Sequence, residues 1–205
     1  MKKAGNEAIA VKVDVSDFES VQNMVNETVK TYGRLDCAFN NAAMAPDNAP
    51  LVDFDEDYWD RLMSVDLKGV ALCMKYEIRQ MKAQGNGGSI VNTSSVSGFR
   101  PQPNNPAYVS AKHGVVGLTK AAALENGQFE IRINTVAPGT IDTPMLHEAL
   151  EKMGVKPEDY APQLSLLNRF GQPREIAHAA LWLLSDAASY ITSTPVYADA
   201  GYIGR

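Results

Sequence analysis

The sequence contains little cysteine, no long apolar run and no cluster of basic residues. Cys37 and Cys73 stand in apolar contexts without metal-ligand spacing, which predicts two small core side chains in a reducing compartment; a disulfide is the less favoured alternative. No apolar run approaches the roughly 18 residues that cross a bilayer. Residues 1–15 contain two lysines but no apolar core of secretory type. These absences predict a cytoplasmic protein without a metal site or a membrane attachment.

The charge distribution excludes one class of partner. The 19 Lys and Arg residues are scattered, and the 24 Asp and Glu residues outnumber them, so the net charge is −5. A nucleic-acid surface needs a basic stripe, and we expect no nucleic-acid partner. Apolar residues make up 45% of the 205 residues, which excludes disorder over most of the chain and suffices for one core. We therefore expect residues 1–205 to form a single domain.

Strand-like and helix-like stretches alternate along the chain. The predicted strands cover residues 8–15, 35–42, 89–95, 131–137 and 195–199. The first predicted helix begins after Ser16 or Asp17, and the later ones cover residues 55–84, 107–124, 145–152 and 173–185. This alternation predicts a three-layer α/β fold with a parallel sheet, in which ligands bind at the carboxyl ends of the strands. The residues at those ends are Asp14, Asn40, Asn41, Ser94, Ser95 and Pro138.

Tyr108 and Lys112 form a candidate catalytic pair. Their spacing places a phenol and an ammonium group one helical turn apart on the same face. An ordinary tyrosine has a pKa of about 10, too high for a proton acceptor at neutral pH, and a nearby positive charge favours the phenolate. By itself the pair is equally typical of a solvated surface helix.

The surrounding motifs resemble those of a known family. Ser95 lies 13 residues before Tyr108, and three blocks occur in the order SIVNTSSVSG, YVSAK and INTVAPGTIDTPM. These blocks resemble the active-site motifs of short-chain dehydrogenases/reductases of the compact, single-domain type. NNAA at 40–43 is similar to the family's Asn-Asn-Ala-Gly motif, with Ala43 in place of glycine, and DVSD at 14–17 is similar to its adenine-contacting strand end. The resemblance covers essentially the whole chain.

The resemblance implies a Rossmann-like, doubly wound parallel sheet and a function. The protein is expected to interconvert a secondary alcohol and a ketone by hydride transfer with NAD or NADP. Tyr108 would be the general acid or base, and Lys112 would favour its ionisation and bind the nicotinamide ribose. Ser95 would hold the substrate oxygen. The alternative for Ser95 is a strand-end cap, a role that Ser94 can also fill.

The cofactor contacts also follow from the resemblance. Ile141 would offer backbone groups to the carboxamide, and Thr143 would form a hydrogen bond nearby. Pro138 and Gly139 would lie against the nicotinamide, although an ordinary turn is the alternative. The choice between NAD and NADP is not readable from this sequence. The full set of expected contacts is Asp14, Val15, Asn41, Ala42, Tyr108, Lys112, Pro138, Gly139, Ile141 and Thr143.

The chain departs from the family at Asp66. The motif VDLKG at 65–69 has aspartate where the family has a fourth catalytic residue, an asparagine. Ionised aspartate accepts hydrogen bonds but cannot donate one. Its charge would oppose phenolate formation at Tyr108 if the two lie close. The alternative is that Asp66 is a solvated helix residue.

A second departure is the absence of the family's glycine-rich turn and first two strands. That turn, of Thr-Gly-x-x-x-Gly-x-Gly type, would hold the cofactor's pyrophosphate. The family's strand order then predicts a gap of roughly 14 Å between the strands at 8–15 and 35–42. We favour Met1 as an internal methionine of a longer chain, or omitted residues, over a genuine fragment in which these two strands pair. A non-catalytic subunit or scaffold that cannot hold cofactor is the alternative function.

Residues 142–170 are the expected substrate loop for a small alcohol or ketone. The apolar residues of this loop would line a lid or, equally, form the core of a short helix pair; they are Met145, Leu146, Leu164, Leu166 and Leu167. Met44, Ala45, Ser97 and Phe99 would line the same pocket. The resemblance also implies a homodimer or homotetramer built on the helices near 58–84 and 107–124 and on the C-terminal helix and strand.

Overall fold

The computed structural model describes residue 5 and residues 7–205, and its centre is a four-stranded parallel sheet. The strands are β1 (Cys37–Asn40), β2 (Gly88–Thr93), β3 (Ile131–Pro138) and β4 (Pro195–Ala198). They lie in the order β1-β2-β3-β4, and every neighbouring pair is parallel. The predicted α/β class with a parallel sheet is confirmed.

Helices connect the strands. They are α1 (Phe18–Tyr32), α2 (Glu56–Met63), α3 (Val70–Gln84), α4 (Pro106–Asn126), α5 (Pro144–Met153), α6 (Pro157–Leu164) and α7 (Pro173–Leu184). A π-helical turn, Ser64–Gly69, joins α2 to α3, so the long helix predicted over 55–84 is present with one interruption. Residues 142–170, the expected substrate loop, contain α6, a helix that was not predicted from the sequence.

Local signals set the helix ends. Asp17 caps α1, because its carboxylate accepts hydrogen bonds from the amides of Glu19 and Ser20. Gly33 and Gly85 end α1 and α3 with φ angles of 81° and 72°, in the left-handed region that glycine adopts without strain.

The sheet is covered on both faces. Adjacent residues of β2 point to opposite sides, so Ile90 packs against α3 and α4 residues such as Met74 and Val115. Val91 faces the other way and packs against Ile176 and Leu183 of α7. The expected three-layer arrangement follows from this alternation.

The prediction of a strand over residues 8–15 is wrong. Within the part of the chain that the structure describes, this segment forms no ladder with β1, so the direct pairing of the two is also wrong. Val13 and Val15 pack instead against α1 and α3, and they line with β1 a cleft of about 340 Å³. A strand needs a hydrogen-bonded neighbour. The apolar side chains of this segment are instead covered by the two helices, without strand pairing.

The prediction that both cysteines are core side chains is wrong for Cys37. Cys73 is buried as expected, but Cys37 is exposed and both thiols are free. Cys37 belongs to a strand whose outer edge has no partner among residues 7–205, and its side chain is therefore not enclosed.

A buried carboxyl group lies between α3 and β1. Glu77 is only 3% exposed, and its Oε2 accepts a 3.0 Å hydrogen bond from Asn40 Nδ2. Asn40 Nδ2 also donates to Asn92 Oδ1, and Asn92 Nδ2 donates to Thr119 Oγ1. Burial raises the pKa of Glu77 to about 7, an effect that the hydrogen bond from Asn40 only partly offsets.

We predict that Glu77 makes the stability of the fold depend on pH. An unfolded Glu has a pKa of about 4.3, so the folded chain holds this proton more tightly than the unfolded chain does. The contribution of Glu77 to the unfolding free energy therefore falls as pH rises from about 4.3 to about 7. Glu77→Gln keeps an acceptor for Asn40 without the charge, and we expect its unfolding free energy, relative to that of wild type, to rise by roughly 3–4 kcal/mol between about pH 4 and pH 8.

Urea unfolding of wild type and Glu77→Gln between about pH 4 and pH 8 measures this difference. Glu125→Gln removes a carboxylate that is exposed on α4 and serves as the matched control. A difference between wild type and Glu77→Gln that stays constant with pH would contradict the prediction.

Candidate active site

The strand register brings the expected site residues to one edge of the sheet. Asn40 lies opposite Asn92, Thr93 lies opposite Val136, and Pro138 lies opposite Ala198. The carboxyl ends of all four strands are therefore nearly level. In parallel sheets this edge is where ligands bind.

Lys112 is the buried charge at this edge. It lies one turn into α4 after Tyr108 and is only 1% exposed. Its Nζ is 3.1 Å from Asp66 Oδ2, donates to the carbonyl oxygen of Thr93 at 3.4 Å, and lies 5.2 Å from the centre of the Tyr108 ring. The helical spacing that the sequence predicted therefore brings the ammonium group beside the phenol.

Asp66 is fully buried, so its interpretation as a solvated helix residue is wrong. The π-helical turn carries it inward, where Oδ1 accepts a 2.7 Å hydrogen bond from the Met44 amide and Oδ2 faces Lys112. π-helical turns are frequent at functional sites, because they displace one residue from the regular helical path. Asp66 therefore links the loop after β1 to the candidate catalytic lysine.

Ser94 and Ser95 have different environments at the end of β2. Ser94 Oγ donates to the carbonyl oxygen of Lys112 at 2.9 Å, which is a bond between the strand end and α4. Ser95 Oγ accepts from the Ser97 amide at 3.1 Å, a bond that uses an oxygen lone pair and leaves the hydroxyl proton uncommitted. Ser95 therefore caps the short 3₁₀ turn Val96–Gly98 as an acceptor and keeps its hydroxyl proton as a donor, while Ser94 ties the strand end to α4.

Close packing fixes the turn that follows Ser95. A Cβ on Gly98 would lie 2.8 Å from the carbonyl oxygen of Lys112, so only glycine allows this turn to lie so near α4. The turn and the helix carrying Tyr108 are thereby held against each other.

The expected cofactor residues near β1 separate into two groups. Val15, Asn41 and Ala42 line the cleft beside β1, and Asn41 Oδ1 accepts a 2.9 Å hydrogen bond from Thr93 Oγ1. Asp14 is exposed, and its carboxylate accepts hydrogen bonds from the amide and hydroxyl of Ser16, which lower the pKa of Asp14. Asn41 is therefore connected to Lys112 through Thr93. The Asp14 carboxylate instead bonds to Ser16, within its own turn.

The chain that leaves β3 presents backbone groups. Ile141 forms a parallel bridge with Gly171, made by the Asp142 amide and the Thr140 carbonyl. The amide of Ile141 itself points away from that bridge. Thr143 Oγ1 donates to the Ile141 carbonyl and accepts weakly from the Leu146 amide, so it caps α5. Gly139 is needed for close approach, because a Cβ there would lie 2.8 Å from Asp199 Cα.

The expected substrate loop, residues 142–170, keeps much of its apolar surface exposed. Met145 is 44% exposed, Leu166 is 60% exposed and Leu167 is 62% exposed, which favours a lid lining over a helix-pair core. At the base of α5, Asp142 accepts hydrogen bonds from Gln172 Nε2 and faces His147 Nε2 at 2.7 Å. These contacts lower the pKa of Asp142.

Two residues at this edge of the sheet, Thr93 and Asp47, were not predicted as site residues from the sequence. Thr93 contacts both Asn41 and Lys112, and its place directly before Ser94 in the strand was the available signal. Asp47 accepts hydrogen bonds from the amides of Ala107 and Tyr108, and no local sequence signal marks this role.

Two further findings concern the described residues only. No group of three or more His, Cys, Asp or Glu side chains among them is arranged to hold a metal ion. None of their helices has both the length and the apolar character that a membrane crossing requires.

Comparison with known proteins identifies the family. A family model described as Enoyl-(Acyl carrier protein) reductase matches residues 1–203. The short chain dehydrogenase/reductase astE of Aspergillus oryzae is 46% identical over 199 residues, which are 97% of this chain and 76% of that protein. The chain belongs to the short-chain dehydrogenase/reductase family. Its fold and its enzyme class, an oxidoreductase of an NAD(P)-dependent family, are thereby confirmed as predicted.

One further relative and one solved structure are informative. A 2,5-dichloro-2,5-cyclohexadiene-1,4-diol dehydrogenase of Sphingobium indicum is 42% identical over 200 residues, covering 97% of this chain and 79% of that protein. The solved structure of ElxO with NADP bound has a TM-score of 0.88 and 31% identity, covering 94% of this chain and 77% of that one.

The side chains present fit the nicotinamide end of such a cofactor. An ammonium group has three donors; Lys112 donates one to the Thr93 carbonyl and forms an ion pair with Asp66 Oδ2 at 3.1 Å, so it still has a donor for a ribose hydroxyl. The outward amide of Ile141 suits a carboxamide oxygen. The donor set of this dehydrogenase/reductase therefore matches the group that its family uses.

We predict that Asp66→Asn keeps or improves activity and moves the rate–pH profile to lower pH. Asparagine retains the acceptor for the Met44 amide, and loss of the negative charge leaves more positive charge beside Tyr108. Asp66→Ala removes both contacts and leaves Lys112 buried without a partner, so we expect a loss of about 3–5 kcal/mol of stability. Steady-state rates across pH and urea unfolding measure the two effects.

Asp57→Asn is the control for this prediction, because it removes an exposed carboxylate at the start of α2, away from Lys112. A rate–pH profile of Asp66→Asn that coincides with those of wild type and Asp57→Asn would remove Asp66 from the reaction.

Proposed function

We propose that this protein interconverts a secondary alcohol and a ketone with NAD or NADP, using Ser95, Tyr108 and Lys112. The observation that carries the proposal is the buried Lys112 ammonium group, held beside the Tyr108 ring by Asp66 and the Thr93 carbonyl. A buried cation next to a phenol at a ligand-binding sheet edge is costly to maintain and is typical of acid–base sites.

The cofactor, when bound, supplies the hydride acceptor or donor. Lys112 and Tyr108 would hold its ribose, and Ile141 with Thr143 would hold its carboxamide. Pro138 and Gly139 would lie against the ring, and Val15, Asn41 and Ala42 would border the rest of the site from the cleft. Asp14 would contact the adenine side from its exposed turn. These assignments rest on the family and on the positions of the residues.

The side chains divide the proton chemistry among them. Tyr108 would take the hydroxyl proton from an alcohol, or return it to a ketone oxygen. Lys112 would stabilise the negative charge that this transfer leaves on the phenol. Ser95 would donate its uncommitted hydroxyl proton to the substrate oxygen, a hydrogen bond that strengthens as charge develops there. Asp66 would orient Lys112 and moderate its charge.

We propose residues 142–170 as the substrate lid. The exposed apolar side chains of this loop suit an apolar substrate body, with Met44 and Phe99 lining the opposite wall. One relative is named for a cyclohexadiene diol. Cyclic secondary alcohols and their ketones are therefore the first substrates to test.

Tyr108→Phe tests the proposed function. We expect oxidation of a cyclic alcohol panel to fall by roughly 10²–10⁴-fold, because the proton acceptor is lost, while binding of NADH or NADPH weakens far less, because Lys112 would still hold the ribose. Fluorescence titration measures cofactor binding, and absorbance of the reduced cofactor measures turnover. Tyr190→Phe, a fully exposed tyrosine, is the matched control. Wild-type protein that binds neither cofactor would overturn the proposal in favour of a non-catalytic subunit.

We also propose that the chain self-associates through α4 and the π-helical turn. A shallow groove of about 750 Å³ lies between them, and its lining is mostly apolar or small: Met63, Leu67, Ala71, Gly114, Gly117, Leu118 and Ala121. An apolar groove on two helix faces suits the same surface of a second copy, since a two-fold interface places identical patches together.

We predict that Gly117→Glu shifts the protein toward the monomer. A Cβ at Gly117 meets no atom within 4 Å, so the folded chain accommodates the side chain while a partner surface would not. Gly127→Glu, at the residue that directly follows α4, is equally open and serves as the control. Sedimentation velocity measures the masses, and equal masses for both variants and wild type would contradict the prediction.

A further inference from the structure

The first turn of α4 takes its cap from a distant residue. Pro106 has no amide proton, and the Val109 amide bonds the Asn105 carbonyl. The amides left without a helical partner are those of Ala107 and Tyr108. Both donate to Asp47, at 3.0 Å to Oδ2 and 3.0 Å to Oδ1 respectively.

Asn105 stands in the usual capping position but does not cap α4. The Asn105 side chain makes no capping hydrogen bond, and its Oδ1 is buried without a partner among the described residues. Asp47 belongs to the loop after β1, about 60 residues earlier in the chain. A carboxylate at this place also interacts favourably with the positive end of the helix dipole.

The loop that carries Asp47 is fastened at several points. The Met44 amide donates to Asp66, the Tyr58 hydroxyl donates to the Ala45 carbonyl at 2.8 Å, and the Ala49 amide donates to the Asn104 carbonyl at 2.8 Å. These bonds hold the loop between the π-helical turn and the start of α4. Asp47 is therefore a fixed anchor and not a mobile surface charge.

We propose that Asp47 is a positioning residue, which sets the place of the Tyr108 phenol by binding the two amides of the α4 first turn. The backbone of Tyr108 is held directly by Asp47 Oδ1, while Lys112, one turn later, is held by Asp66. The loop from residue 44 to residue 49 thus joins both halves of the pair. This inference rests on the proposed function, since the positioning matters only if Tyr108 moves a proton.

Asp47→Ala and Asp47→Asn test the proposal. Asp47→Ala leaves both amides without an acceptor, and we expect kcat to fall about 10- to 100-fold with KM and cofactor affinity nearly unchanged. Asp47→Asn keeps one acceptor oxygen and should recover part of the rate. Hydrogen exchange should accelerate at the amides of Ala107 and Tyr108 in Asp47→Ala. All rates are measured where circular dichroism shows the variants fully folded.

Asp55→Ala is the matched control, because Asp55 caps α2 through the Tyr58 amide in the same way but on a helix without Tyr108. It should accelerate exchange at the Tyr58 amide and, because Tyr58 bonds Ala45 and not the amides of α4, lower kcat far less than Asp47→Ala does. Unaltered exchange at residues 107 and 108 in Asp47→Ala, or a kcat equal to that of Asp55→Ala in an active enzyme, overturns the proposal. A wild type without oxidoreductase activity overturns the proposed function instead, and the exchange result alone then decides whether Asp47 fixes Tyr108.

Discussion

The buried ion pair between Lys112 and Asp66 is the constraint on which the rest of the site depends. Removing either ion from water costs several kcal/mol even in a relaxed protein interior, and both side chains are almost wholly enclosed. Neighbouring polar groups make this tolerable, because the Thr93 carbonyl accepts from Lys112 and the Met44 amide donates to Asp66. Two charges thereby hold a strand end, a loop, a π-helical turn and a long helix in fixed relation.

These contacts close into a circuit at the carboxyl end of the sheet. Lys112 contacts Thr93, the Thr93 hydroxyl contacts Asn41, the chain runs on three residues to Met44, and Met44 contacts Asp66, which returns to Lys112. A displacement of any member strains bonds made by the others. The strand ends therefore cannot shift independently of α4, which is why a site made of short contacts from distant segments keeps one geometry.

Features with local causes were predictable from the sequence. Asp17 and Gly33 mark the ends of α1, and the Tyr108–Lys112 spacing needs only a helix to bring the pair together. Features set by distant partners were not. Residues 8–15 have a strand pattern but no strand, because pairing requires a neighbour, and Asp47 caps a helix that begins about 60 residues later. The burial of Asp66 likewise depends on a π-helical turn that no local sequence pattern predicts.

The dipeptide at the end of β1 shows how one strand serves both stability and chemistry. Successive residues of a strand point to opposite faces, so Asn40 bonds Glu77 and Asn92 beneath the sheet while Asn41 bonds Thr93 at the site. The carboxyl group of Glu77 is costly to ionise there. Its bond to Asn40 nevertheless fixes the strand from which Asn41 emerges. Two adjacent asparagines that resemble one family motif thus have different roles, and only Asn41 lies at the candidate site.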